Sequence, residues 1–136
     1  MKQIILFLTV LVSVVSCTQL MTPQTADYSW ANRKWTLMEI NGTPVQISGT
    51  EKDAHLYFSA SDKRVSGSGG CNRINGNYSI DSYRLGFGEF AVTKMFCVDI
   101  AFENNFLAAL RSVDQFQVLN NVLILKRGTI VLMRLR

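Results

Sequence analysis

Cysteine, proline and histidine are scarce in this chain: it has three cysteines, two prolines and one histidine. One histidine and two distant cysteines make no known metal-ligand set. The lone His55 alternates to the outer face of its strand, which leaves a cysteine nucleophile without a base. No Cys-x-x-Cys pair is present, so a redox pair of that type is excluded. The glycines near residue 70 lack a following Gly-Lys-Ser/Thr, and strand rather than helix follows them, so they are no phosphate loop. Asp81 and Glu89 are scattered loop carboxylates, not a glycosidase pair. The formal net charge is +4 and the sequence pI about 9.2, yet no basic run exceeds two residues. That argues against nucleic acid as a partner. Lys126, Arg127, Arg134 and Arg136 form a basic cluster near the C-terminus, read as a solvated face. No internal repeat, low-complexity stretch or second domain is present.

What is present begins with a signal. Lys2 supplies a positive start, residues 4–15 are an apolar run broken only by Thr9 and Ser13, and Val14-Val15-Ser16-Cys17 places small residues before a cysteine. The run is too short to span a bilayer, which takes about 20 residues. Residues 1–16 therefore read as a bacterial lipoprotein signal peptide and Cys17 as the lipidated first residue of the mature chain. More than one acyl chain makes such anchoring stable. Residues 17–33 read as a tether, with Trp30 positioned to dock it, and 34–136 as one domain.

Within the domain, short strands alternate with turn signals. Residues 35–40 read as a strand with Met38 and Ile40 as its core pair, ended by Asn41-Gly42-Thr43-Pro44. Leu56 and Phe58, Tyr78 and Ile80, and Leu85 and Phe87 mark inward positions of later strands. Residues 90–97 fit a bent strand or extended loop. Asp99 suits an N-cap for a helix over 100–111, with Phe102, Phe106, Ala109, Leu110 and Val113 on one face. Three strands close the chain, joined by a two-residue turn at Asn120-Asn121 and a four-residue one over 126–129. About eight strands and one helix predict a mainly antiparallel α+β fold: a curled sheet or small, partly closed β-barrel with the helix packed on it.

The stretch 69–78 stands apart. Three of the nine glycines lie in it, beside three asparagines and Cys71. Glycine and asparagine tolerate positive φ, so the run predicts a special backbone path rather than an ordinary strand. After export, Cys71 and Cys97 would meet an oxidising compartment, where a structural disulfide is expected. Glu103 borders the apolar face of the helix; if buried there it needs donors, from Arg73, Asn72 or the loop amides. Gly70, Asn72, Arg73, Gly76 and Glu103 are thus the candidate structural or partner-binding loop.

These residues together resemble the META domain family, the HslJ-like heat-shock-associated envelope lipoproteins. A Trp-x-Leu strand and Ile-x-Gly turn are matched by Trp35, Leu37, Ile40 and Gly42, and a hydrophobic strand by Leu56 and Phe58. The most specific element, Gly-x-Gly-Gly-Cys-Asn-Arg followed by Gly-x-Tyr, is matched by Gly67, Gly69, Gly70, Cys71, Asn72, Arg73, Gly76 and Tyr78. Thr93, Met95 and Cys97 match Thr-x-Met-x-Cys. Glu103, Phe106, Ala109 and Leu110 match Glu-x-x-Phe-x-x-Ala-Leu. The resemblance implies a small β-barrel with a helix and an association with heat shock, motility and antibiotic tolerance. It brings no common biochemical activity.

Three functions compete at this point. The leading expectation is a non-enzymatic, stress-related lipoprotein of the bacterial envelope, with no cofactor and no catalytic residue. It would be held in the outer membrane, facing the periplasm or the exterior, and would bind another envelope component. The second is a carrier of a small apolar ligand in the barrel. An enzyme using Cys71 or the Asn72-Arg73 loop is the third. An apolar patch beside the loop would favour the first, and a roomy apolar pocket the second.

Overall fold

The structure is a computed structural model and describes residues 28–136. The expected signal peptide, Cys17 and most of the tether lie outside the described residues. The strands are β1 (Lys34–Ile40), β2 (Thr43–Pro44), β3 (His55–Phe58), β4 (Arg64–Ser68), β5 (Arg73–Asp81), β6 (Arg84–Phe87), β7 (Ala91–Val92), β8 (Gln115–Leu119), β9 (Val122–Arg127) and β10 (Ile130–Leu135), with helix α1 (Ile100–Arg111) before β8. All pairings are antiparallel. Around the barrel the order is β1-β3-β4-β5-β6-β8-β9-β10, and β10 pairs back onto β1 through Leu37↔Leu135 and Ile40↔Met133. The eight-stranded barrel is therefore closed, and β2 and β7 are added at its rim.

Local chemistry accounts for most of this path. Asn41-Gly42 and Asn120-Asn121 each place two consecutive residues at positive φ, which gives the hairpin turn whose twist suits the flanking strands. The last hairpin is tighter than expected: Arg127 pairs with Ile130, so Gly128-Thr129 alone make the turn. In β1 the expected core face is reversed over its first half. Trp35 and Leu37 are fully buried while Met38 is half-exposed, and a bulge between Leu37 and Glu39 then turns Ile40 inward. One extra residue in a strand moves the following side chains to the other face.

Two features close the barrel ends. Trp30 is buried against the rings of Phe58, Tyr78 and Phe116, and its carbonyl accepts a hydrogen bond from Trp35 Nε1 at 2.8 Å. The core thus begins ahead of β1. Asn32 donates its N–H to the Phe58 carbonyl at 2.7 Å, which places the incoming chain at the end where β3 finishes. Helix α1 lies at the opposite end. Its N-cap Asp99 accepts from Phe102 N, and Phe106, Leu107, Ala109 and Leu110 are buried. Fully buried Trp35, Leu37, Leu56, Phe58, Ile74, Leu85, Leu123 and Leu125 occupy the interior. Small eight-stranded barrels either fill with side chains or hold one ligand, and this one is filled.

Strand β5 begins earlier than expected. Arg73 is its first residue and Gly76 lies in mid-strand; only Gly70 of the 69–78 stretch has positive φ, at +105°. Gly76 is needed for closeness instead. A Cβ there would lie 2.8 Å from the Phe90 ring and 3.2 Å from the Glu89 carbonyl. The reason is packing: the first half of β5 pairs with β4 on one edge and β7 on the other, and the Phe90 ring lies against Gly76.

Candidate functional site

The loop 69–72 joins β4 to β5 at the helix end of the barrel. Its backbone turns on itself, Gly69 N donating to the Asn72 carbonyl and Gly70 N to Ser68 Oγ, each at 3.1 Å. A Cβ on Gly69 would sit 2.7 Å from Glu103 Cγ, so only glycine lets the helix approach this closely.

Glu103 is buried to 2 % exposure, and Asn72 is buried with it. The Asn72 backbone N–H donates to Glu103 Oε2 at 2.6 Å, and its side-chain Nδ2 donates to Oε1 at 2.7 Å. Both carboxylate oxygens are thereby used. Asn72 Oδ1 accepts in turn from Met95 N at 2.7 Å and from Thr93 Oγ1 at 2.9 Å. Arg73 N donates to Thr93 Oγ1 at 3.0 Å, and Cys71 is disulfide-bonded to Cys97. Asn72 thus links three separate segments: the loop, the helix and the chain 93–97. Arg73 takes no part in holding Glu103. Its side chain is on the exposed face of β5, one position out of phase with Asn72.

The consequence lies in residues 93–98. Thr93, Met95 and Cys97 are tied down by side chain, backbone N–H and disulfide respectively. None of these ties covers the apolar side chains of the segment. Phe96 is 98 % exposed and Val98 101 %, and Met95 and Ile100 are also exposed. Exposed apolar residues scattered singly are ordinary, whereas these lie together beside a concavity. The spacing Thr93-x-Met95-x-Cys97 marks the tied positions; sequence reasoning did not single out Phe96 and Val98 beside them.

This projection forms one wall of a groove of about 900 Å³ over the outer face of β3, β4 and β5, with Tyr57 on the opposite side and Ser66 and Asn75 in the floor. Lys52, His55 and Arg73 also line it. Lys34, first by a 2.9 Å hydrogen bond and then by its charge, holds the Glu51 carboxyl below the usual carboxylate range. His55 Nδ1 lies 2.8 Å from the Asp53 carbonyl oxygen, and both Sγ atoms that a thiol mechanism would use are joined to each other. A smaller hollow of about 470 Å³, lined by Ile40, Pro44, Val45, Ala54 and Phe102, lies between the β1–β2 turn and the helix. Among the described residues no three His, Cys, Asp or Glu side chains converge as a metal site would require.

A closed barrel with a filled interior, capped by one helix and carrying a braced loop on its rim, defines a small rigid scaffold. The chain belongs to the META domain family, whose family model matches residues 28–136. No curated protein matches it. Among solved structures, it is similar to a protein from Burkholderia xenovorans solved by NMR, with a TM-score of 0.60 and 24% identity over 77% of this chain and 81% of that one. It is similar also to a DUF4847 family protein from Bacteroides vulgatus seen in a crystal structure, with a TM-score of 0.61 and 20% identity over 79% and 93%. A further NMR structure, at TM-score 0.60 and 23% identity, covers 85% of this chain and 94% of that one. At these identities the likeness is one of fold.

Proposed function

We propose that this protein is a non-enzymatic, lipid-anchored component of the bacterial envelope, probing its surroundings with the apolar projection 95–100 and binding another envelope component there, in a stress-related setting. The observation that carries this reading is Phe96, held almost wholly in water by a segment fixed on both sides of it. An unconstrained loop would fold such a ring onto the protein; a braced one keeps it available. Cys17 and its preceding residues support the anchor, and the outer membrane is the proposed site. From Cys17 to Tyr28 the extended chain reaches at most about 40 Å, and it enters the barrel at the end away from the projection.

A second reading, a carrier of a small apolar ligand, now rests on the outer hollow rather than the barrel, whose interior is filled. Ligand pockets bury about 70–90% of a small molecule, and a hollow open to solvent on one side does so poorly. The partner reading therefore leads.

Two expected results test it. Cys17→Ala loses incorporation of a radiolabelled fatty acid, and equal labelling of both chains would refute the anchor. Phe96→Asp, at a position with no buried contacts to lose, changes unfolding free energy by less than about 0.5 kcal/mol yet abolishes co-purification of the partner after crosslinking in intact envelopes. Retention of that partner would refute the projection as the contact.

A further inference from the structure

Unpaired charge in the groove indicates what kind of partner it takes. Four charged side chains line it beside His55: Glu51, Lys52, Arg73 and Asp99. Glu51 is engaged by Lys34, and Asp99 caps the helix by accepting from Phe102 N at 3.1 Å. Both negative groups therefore have a partner. The ion pairs among the described residues are Lys34 with Glu51 and Arg134 with Glu39, so neither Lys52 nor Arg73 meets a carboxylate. Two cations without an ion pair among the described residues thus line the same groove as Met95, Phe96 and Val98.

Shape narrows the occupant further. The groove runs across three paired strands, its floor set by the rows Tyr57↔Ser66↔Asn75 and His55↔Ser68↔Arg73. It is open along one side, so a small molecule would stay half in water, where small-ligand sites bury about 70–90% of their ligand. A bilayer surface cannot enter a concavity. A chain segment belonging to a larger molecule satisfies both conditions: it fills the groove and is not required to be enclosed.

We infer that the groove between Tyr57 and Phe96 binds an extended, acidic-apolar peptide segment of a partner protein. Its carboxylates pair with Lys52 and Arg73, and its apolar side chains pack on Phe96 and Val98. Charge complementarity of this kind sets partner choice and association rate, while the aromatic contact supplies the desolvated anchor. The inference rests on the partner-binding reading above and gives that site its chemistry.

The test is selection of phage-displayed random dodecapeptides on the full-length chain, immobilised by a C-terminal tag with the disulfide intact. The expected result is enrichment of sequences that place Asp or Glu beside Phe, Leu or Ile. Capture of those clones should fall at least about tenfold on the Lys52→Glu/Arg73→Glu chain, and equally on Phe96→Asp. Val118→Asp, on an exposed strand elsewhere, should leave capture unchanged. Absence of any enriched family, enrichment of peptides without carboxylates, or undiminished capture by the charge-reversed chain overturns the proposal. Sedimentation with phosphatidylglycerol-rich vesicles in a Phe96-dependent manner, without peptide enrichment, would make the face a membrane contact and overturn it too. If peptides fail while Phe96-dependent co-purification from envelopes persists, the peptide chemistry falls and the partner reading stands.

Discussion

Glu103→Gln is expected to lower the unfolding free energy by about 2–4 kcal/mol at unchanged urea m-value, although the two side chains are almost the same size. Both carboxylate oxygens of Glu103 accept from Asn72, one from its backbone and one from its amide. Glutamine keeps a single acceptor, so its amide nitrogen must face one of the two donors. That contact turns from a charge-assisted hydrogen bond into two donors confronting each other out of water. A buried donor left unsatisfied costs about 1–3 kcal/mol, and the lost charge-assisted bond adds to it. Asn72→Ala should cost a comparable amount, because it frees Met95 N and Thr93 Oγ1 as well. The two changes act on one network, so the double variant should lose much less than their sum. Amide exchange at Met95 should quicken in either variant. A loss within about 0.5 kcal/mol for Glu103→Gln, as is usual at a surface, would contradict the network.

Removing the Cys71–Cys97 bond should have a similar effect by a different route. The bridge closes a separation of 26 residues. By the chain-entropy argument, opening a loop of that length costs about 3.5 kcal/mol, because the unfolded chain regains the freedom the bridge denied it. For a domain of this size the melting temperature should fall by about 15 °C in Cys71→Ser/Cys97→Ser. Thiol titration of the denatured, unreduced protein should find neither Cys71 nor Cys97 free. The barrel should survive, since none of its strand pairings is made by Cys71 or Cys97, while Phe96 gains freedom because one of its two flanking ties is lost. A shift under about 4 °C would mean that the bridge constrains little.

How far these features were legible follows from their range along the chain. The helix was readable because its evidence is local: Asp99 caps it, and Phe106 and Leu110 fall one turn apart. The Asn41-Gly42 and Asn120-Asn121 turns were readable for the same reason, whereas the last hairpin, read as four residues, turns on Gly128-Thr129 alone. The core face of β1 was not, since Trp35 and Leu37 on one side and Met38 and Ile40 on the other are equally apolar, and only the bulge opposite β10 decides between them. Closure of the barrel depends on β1 meeting β10 from the far end of the chain, a pairing that alternation cannot express. The need of Glu103 for donors could be read from its place on the helix. Which donors supply it could not: Asn72 and Arg73 are neighbours in sequence, and the start of β5 sends one inward and the other into the groove. The groove itself was invisible, because its walls come from β3 and from residues 95–98, which lie far apart in the chain.

The central claim is that the braced projection around Phe96 is where this protein meets its partner. Its most direct test is a photocrosslinking amino acid placed at position 96, and at exposed position 130 as the control, in otherwise wild-type protein in intact envelopes. The account predicts a discrete protein adduct from position 96, lost when Lys52 and Arg73 are reversed in charge, and no such adduct from position 130. No adduct at 96, or the same adducts from both positions, would contradict it.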